Sequence, residues 1–333
     1  MTNYLIREET LAAWLDRLSR DATLIAPRSV EGLILYRPVS ASAEIAWGST
    51  RPMLSAKESF FPATERLLTI EKTGQQVKLT ETLPEGRQII FGVRPCDARG
   101  AQVLDAMFIQ QEPADPYYAR RRENTTLIGL SCPEMGPTCF CTSVGGAPDD
   151  PTGLDLMLTE VEGGYVIRVV TEKGETLLEG LPLAGFGGEL PPPATTEPLS
   201  VLPKQSWPAH FSDEYWAKLS QRCLSCRICA YACPTCRCFA VRDEALPGNN
   251  HFERLRCWDS CTGANYRRIA GGHNPRAGKE ERLRNRFFCK FYYYPEQYDL
   301  GNQTACTGCG RCVDLCPVNI DITEVLVDVG RQA

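Results

Sequence analysis

Histidine is scarce in this chain: His210, His251 and His273 are the only three in 333 residues, and none lies in a metal-binding or triad arrangement. That excludes imidazole-based zinc sites and Ser-His-Asp chemistry. No C-x-x-C-H occurs, which excludes haem attachment of the c type. No G-x-G-x-x-G opens a helix after a strand and no G-x-x-x-x-G-K-[ST] is present, so no nicotinamide, flavin or nucleotide site is visible. Gly185, Gly187 and Gly188 precede prolines and read as linker. There is no run of eighteen apolar residues, so no membrane span is expected. A formal net charge of −5 argues against general nucleic-acid binding. The start, MTNYLIREETLAAWLDRL, is amphipathic and carries acidic residues, which reads as a first helix and not as a signal peptide.

Cysteine, by contrast, is abundant, at seventeen. In a secreted protein an odd count would mean disulfides with one thiol left over. Here the cysteines cluster at metal-ligand spacing, so a reducing, anaerobic cytoplasm is the expected setting. Two runs share one pattern, Cys223-x-x-Cys226-x-x-Cys229-x-x-x-Cys233-Pro234 and Cys306-x-x-Cys309-x-x-Cys312-x-x-x-Cys316-Pro317. Three closely spaced thiolates hold three irons of a cubic cluster. In two-cluster ferredoxins the fourth Cys of each run serves the other cluster. One [4Fe–4S] cluster is therefore assigned Cys223, Cys226, Cys229 and Cys316, and the other Cys306, Cys309, Cys312 and Cys233. The competing reading, a pair of zinc knots, does not account for three close cysteines plus a distant fourth, twice over.

The N-terminal half alternates strand and helix patterns. Leu11, Trp14, Leu15 and Leu18 mark a helix over 8–20. Strands are expected at Thr23–Ala26, Gly32–Tyr36, Leu67–Glu71, Val77–Thr80, Gln88–Val93 and Thr126–Leu130, with a helix at Ala98–Phe108 and a hairpin around Tyr165–Leu178 turning at Lys173-Gly174. Two strands run into Pro- and Gly-broken loops that carry cysteine: Arg94-Pro95-Cys96-Asp97, and Cys132 through Cys139-Phe140-Cys141. Such loops leave backbone N–H groups free to stabilise cluster sulfurs. A third cluster on Cys96, Cys132, Cys139 and Cys141 is the hypothesis, against four buried apolar thiols at sheet ends.

Pro, Thr, Ser and Gly dominate 181–208, a linker. Ser212 is read as capping a helix to about Gln221, which delivers the first cysteine run. The runs stand 83 positions apart, and the insertion between them is basic. A helical hairpin is expected there, Trp258–Ala270 and then Gly278–Tyr294. Its Arg267, Arg268, Arg276, Lys279, Arg282, Arg284, Arg286 and Lys290 would stabilise anionic clusters or dock an acidic partner, in preference to binding nucleic acid. Asp321-x-x-Glu324 resembles a capping box opening a last helix, Ile322 to Val329. Cys236, Cys238, Cys257, Cys261 and Cys289 remain. A fourth cluster from the last four fits no ligand spacing, so these five read as buried thiols.

The fold class is thus α+β: a mixed α/β domain over 1–180, the linker over 181–208, and an α-helical dicluster ferredoxin-like domain over 209–333 with the insertion at about 239–304. Several stretches together resemble one family: Val93-Arg94-Pro95-Cys96-Asp97, Tyr117-Tyr118-x-x-Arg121-Arg122-Glu123, Cys139-Phe140-Cys141-Thr142-Ser143-x-Gly145, Cys233-Pro234-Thr235-Cys236-x-Cys238, Trp258-Asp259-Ser260-Cys261 and Ala270-Gly271-Gly272-His273-Asn274-Pro275-Arg276. They are similar to the iron–sulfur beta subunit of cytoplasmic NAD(P)-linked nickel–iron hydrogenases (sulfhydrogenases) and to the related iron–sulfur subunit of anaerobic sulfite reductase. Cys289 stands where the family pattern has His before Lys-Phe. The resemblance, which covers roughly 85–330, implies an electron relay between a flavin/NAD(P) diaphorase-like subunit and a catalytic one. That catalytic subunit would be a nickel–iron hydrogenase or, alternatively, a sulfite or sulfur reductase with a substrate-responsive N-terminal cluster. It also favours the third cluster. No substrate-converting residue is assigned, and a redox-sensing regulator lacks a helix-turn-helix to support it.

Overall fold

The computed structural model describes residues 3–48, 51–248, 250–301 and 303–331. Its strands are β1 (Asn3–Ile6), β2 (Thr23–Val30), β3 (Leu33–Pro38), β4 (Thr64–Thr73), β5 (Gln76–Glu81), β6 (Gln88–Val93), β7 (Thr125–Leu130), β8 (Leu156–Val161), β9 (Gly164–Val169), β10 (Ala184–Gly185), β11 (Phe239–Ala245) and β12 (His251–Trp258). The helices are α1 (Glu8–Asp21), α2 (Pro95–Phe108), α3 (Pro116–Glu123), α4 (Glu172–Leu177), α5 (Tyr215–Arg222), α6 (Ile228–Tyr231), α7 (Lys279–Phe288), α8 (Tyr294–Gln297), α9 (Arg311–Asp314) and α10 (Ile322–Arg331).

An eight-stranded sheet runs β10-β1-β9-β8-β7-β6-β2-β3. Its centre, β2, β6, β7 and β8, is parallel, and its flanks are antiparallel. Strands buried on both faces read as continuous apolar runs, as β6 and β7 do. Alternate side chains then serve opposite layers. Ile89 and Phe91 pack with Leu11, Trp14, Leu15 and Leu18 of α1, while Ile90 and Val93 pack with Ala98, Ala101, Leu104 and Phe108 of α2. The core thus lies in two apolar layers of side chains, one on each face of the strands.

The carboxyl ends of β6 and β7 deliver the cysteine loops. A bulge at Gly92, whose φ is +74°, shifts the register between Phe91 and Val93. The bend aims Arg94-Pro95-Cys96 into the first turn of α2, where Pro takes a position needing no N–H.

Several expectations need correction. The hairpin around 165–178 is β8–β9, and it turns at Glu162-Gly163, not at Lys173-Gly174. Lys173-Gly174 lies in α4, whose N-cap Thr171 accepts from the Gly174 N–H at 3.2 Å. Gly is needed there because a Cβ would run into the Asp155 carbonyl oxygen. The insertion does not begin as a helix over 258–270. Its first part is the β11–β12 hairpin, and β12 pairs with β4 in a second sheet, ordered β11-β12-β4-β5. Only its second part is helical: α7, a π-turn over Cys289–Tyr293, and α8. Helix α5 starts at Tyr215 and is not capped by Ser212. Last, α10 starts at Ile322 as expected, but the Asp321 carboxylate accepts from the N–H and hydroxyl of Thr323, at 2.7 and 2.8 Å, where a capping box would have it accept from Glu324.

The β4–β12 pairing fastens the insertion to the N-terminal half. Buried Arg256 on β12 donates to Glu65 and pairs with Asp115, and Arg121 pairs with Glu65 from α3. Phe61, Phe108 and Phe239 surround the Arg256 guanidinium at 5.4–5.7 Å. Removed from water, that charge is tolerable because it is paired and covered.

Candidate metal centres

The two cysteine runs adopt one backbone shape. In the first loop Ser225 and Arg227 have φ of +55° and +69°, and in the second Gly308 and Gly310 have +65° and +72°. Each left-handed residue turns the chain so that successive cysteines face one centre. Each loop leads into a single helical turn, α6 or α9, and these two turns pack together. The last Cys of each run lies with the other run: Cys316 with the first three cysteines of the first, and Cys233 with those of the second.

Cys223, Cys226, Cys229 and Cys316 all line one small cavity, with Cys312 beside them. Backbone N–H groups already point at their sulfurs: Ser225 donates to Cys223 at 3.4 Å and Ile320 to Cys316 at 3.2 Å. Cys306, Cys309, Cys312 and Cys233 form a second group, all but Cys312 buried, whose members feel one another's charge. Burial pushes the Cys306 thiol up to about 11 and Cys312 up to about 12. Cys233 is drawn well below the ordinary thiol range, first by a hydrogen bond from the Cys236 thiol and then, against desolvation, by Lys290 and Arg286. Lys290 Nζ donates to Cys233 Sγ at 3.0 Å and to Thr235 Oγ1 at 3.0 Å. Buried Arg286 faces Cys229 and Cys312, and so lies between the two groups. Of the eight basic residues expected to serve the clusters, these two lie against the cysteine groups. Arg284 instead lies over Phe211 at 3.6 Å, and Arg282 is spent on the carbonyls of Arg276 and Ala277.

Cys96, Cys132, Cys139 and Cys141 come together on the wall of a third cavity, of about 480 Å³. Cys309 of the second loop lines the same cavity. The N-terminal loop lies directly on the ferredoxin-like loop, with the Phe140 N–H donating to the Gly308 carbonyl at 2.8 Å. Glycine is required at that contact. A Cβ on Gly308 would stand 2.5 Å from the Cys141 backbone, and one on Gly310 would run into Thr138 Oγ1. Behind the loop, Asp97 accepts two hydrogen bonds from buried Arg311 of α9, at 2.6 and 2.8 Å.

Among the described residues no three Cys, His, Asp or Glu side chains converge on a single-ion position. Two thiolates on one zinc at ~2.3 Å each lie only about 3.8 Å apart. A cubane, which places each thiolate on a different iron, sets its ligands wider. The donor sets present, four soft thiols each with cations and N–H donors nearby, suit iron–sulfur clusters.

Of the five leftover cysteines, Cys257 lies on β12 and the other four gather near the second group. Cys236 donates to Cys233, Cys238 shares a hydrogen bond with Cys261, and Cys289 accepts from Arg237 at 3.4 Å. Sequence spacing carries no signal for that gathering, because it is closed by the β11–β12 hairpin, which has no strand signature of its own.

The 4Fe-4S dicluster domain family matches residues 222–320. A curated protein, sulfhydrogenase 2 subunit beta of Pyrococcus furiosus, is 30% identical over 347 aligned positions that cover 97% of each chain. This chain belongs to the sulfhydrogenase beta-subunit family. No solved structure matches it. Within that family it is an iron–sulfur electron-transfer subunit, and its dicluster domain implies two [4Fe–4S] clusters, in line with the sequence reading. Among the described residues no helix of this family member is long and apolar enough to cross a membrane.

Proposed function

We propose that this chain is the electron wire of a cytoplasmic complex. It would join a flavin/NAD(P)-binding, diaphorase-like subunit to hydrogenase small and large subunits of the nickel–iron type. One observation carries the reading: the three groups of cysteines stand in a row. Cys309 belongs to the middle group and lines the N-terminal cavity, while Cys312 of the same group lines the cavity of the Cys223 group. The ligand sets proposed are Cys223, Cys226, Cys229 and Cys316; Cys306, Cys309, Cys312 and Cys233; and, for a third cluster, Cys96, Cys132, Cys139 and Cys141. Each cluster, when bound, supplies a one-electron carrier. The protein's part is to hold the clusters close and balance their charge with Lys290 and Arg286.

Two measurements test this. Anaerobically purified chain should carry about twelve irons, and eight would remove the third cluster. Cys309→Ala should abolish electron flow between the partners while each keeps its own dye-linked partial reaction, and unchanged coupled activity would reject the wire.

A basic side chain on the wall of the N-terminal cavity favours a second reading. Arg51, with one buried guanidinium nitrogen lacking a partner, lies on its wall. In that reading the chain serves a sulfite or sulfur reductase, and its N-terminal cluster responds to a sulfur anion. A change in the cluster's spectrum on adding sulfite or polysulfide would favour it.

A further inference from the structure

We propose that Cys238 and Cys261 form a fourth redox centre, a reversible dithiol–disulfide couple that stores two electrons beside the second cluster. Cys238 precedes β11 and Cys261 follows β12, so the pair closes the neck of that hairpin. Phe239 pairs with Trp258 across the neck, and the Asp259 N–H donates to the Cys238 carbonyl at 2.8 Å. Both thiols are largely removed from water and share a hydrogen bond.

Their environments differ in the way a redox pair requires. The Cys261 thiol donates to Cys238 and draws it down to about 6 against desolvation, with help from the Tyr266 hydroxyl and the Arg237 guanidinium. Cys261 is pushed well above the ordinary thiol range by the same bond and by burial. The two sulfurs are thus pushed in opposite directions, Cys238 toward the thiolate and Cys261 toward the thiol, the asymmetry that marks reactive pairs. Arg237 is fixed in place, stacked 3.3 Å over Tyr294 and donating to Cys289.

The pair also lies next to an electron source. Cys261 feels the charge of Cys236, and Cys236 hydrogen-bonds Cys233, a proposed ligand of the second cluster. On oxidation the Cys238 thiolate and the Cys261 thiol form one S–S bond, with release of one proton and two electrons. Two oxidised [4Fe–4S] clusters accept those electrons, one each, and two reduced clusters reverse the step. The couple would convert single-electron transfers into a paired one. It rests on the dicluster reading for its oxidant, but not on the identity of the partners.

The test uses the cluster-loaded full chain under anaerobic conditions. After mild oxidation, non-reducing digestion and mass spectrometry should find the Cys238 and Cys261 peptides joined, lighter by two hydrogens, and separated again after dithionite. Reductive titration of the oxidised protein should take up two electrons per chain beyond the number of clusters. Cys261→Ser and Cys238→Ser should each lose those two electrons while keeping every iron. Unjoined peptides in the oxidised wild type, or an electron count equal to the cluster count, would overturn the proposal. So would loss of about four irons in either variant, which would make these cysteines cluster ligands. If the variants do not fold, the wild-type peptides decide. A colourless, iron-free preparation would instead strike at the dicluster reading, and site-resolved mass spectrometry tells the two failures apart.

Discussion

Two buried cations carry most of the electrostatic argument at the level of single residues. Lys290 is 4% exposed and donates to the Cys233 sulfur. A positive hydrogen-bond donor on a ligand sulfur stabilises the added negative charge of the reduced cluster, and therefore raises its potential. Lys290→Met should shift one cluster's midpoint to more negative values in a redox titration followed by EPR, and Lys290→Arg should restore part of the shift. An unmoved midpoint would mean that Lys290 only fills space. Arg311 is the second case. Its side chain and that of Asp97 are 1% and 0% exposed, and their two hydrogen bonds join α9 to α2. Asp97→Asn leaves an uncompensated buried charge, a cost of about 3–5 kcal/mol. It should appear as a lower anaerobic unfolding midpoint in denaturant. In the sequence Asp97 stands out only as part of a family-like stretch. Its partner 214 positions away is invisible there, because buried ion pairs leave no periodic mark.

Among the elements, the two ferredoxin-like loops show what is legible and what is not. Cysteine spacing reveals the loops outright, since the cubane geometry is written into the intervals. The same left-handed turns are made by Ser225 and Arg227 in one loop and by glycines in the other, so the backbone alone does not demand glycine. What demands it is the N-terminal loop pressed on Gly308 and Gly310. Gly308→Ala combines a left-handed Cβ, roughly 1–2 kcal/mol, with a clash against the Cys141 backbone. It should lower thermal stability well beyond any change in Ser225→Gly, which adds freedom in an uncrowded turn. Equal effects in the two loops would remove the packing explanation. The β11–β12 hairpin is illegible for the opposite reason. Arg242, Asp243 and Glu244 on β11 are exposed and give no apolar alternation, so the strand is specified by pairing with β12, which pairs in turn with β4. The central parallel strands are readable except β8, whose buried LMLTEV run carries no period of two.

At the scale of the molecule, the row of cysteine groups has two ends on different surfaces. Cys226 is exposed, and its neighbour Leu224 is 63% exposed, so the first group reaches solvent on the dicluster side. The N-terminal cavity, lined by Cys132 and rimmed by exposed Glu134 and Pro137, reaches it from the side of the parallel sheet. Between them Cys233, Cys306 and Cys309 are buried. The proposed wire would take electrons at one end and give them up at the other, so damage at the two ends should disconnect different partners. With the assembled complex reduced from one partner at a time, Cys226→Ser should block reduction of the remaining clusters from one side only. Cys132→Ser should block it from the other side only, with each variant followed by the EPR signals of its intact clusters. If both substitutions block the same partner, the three groups do not form a through-path, and the N-terminal centre is a branch carrying some other chemistry.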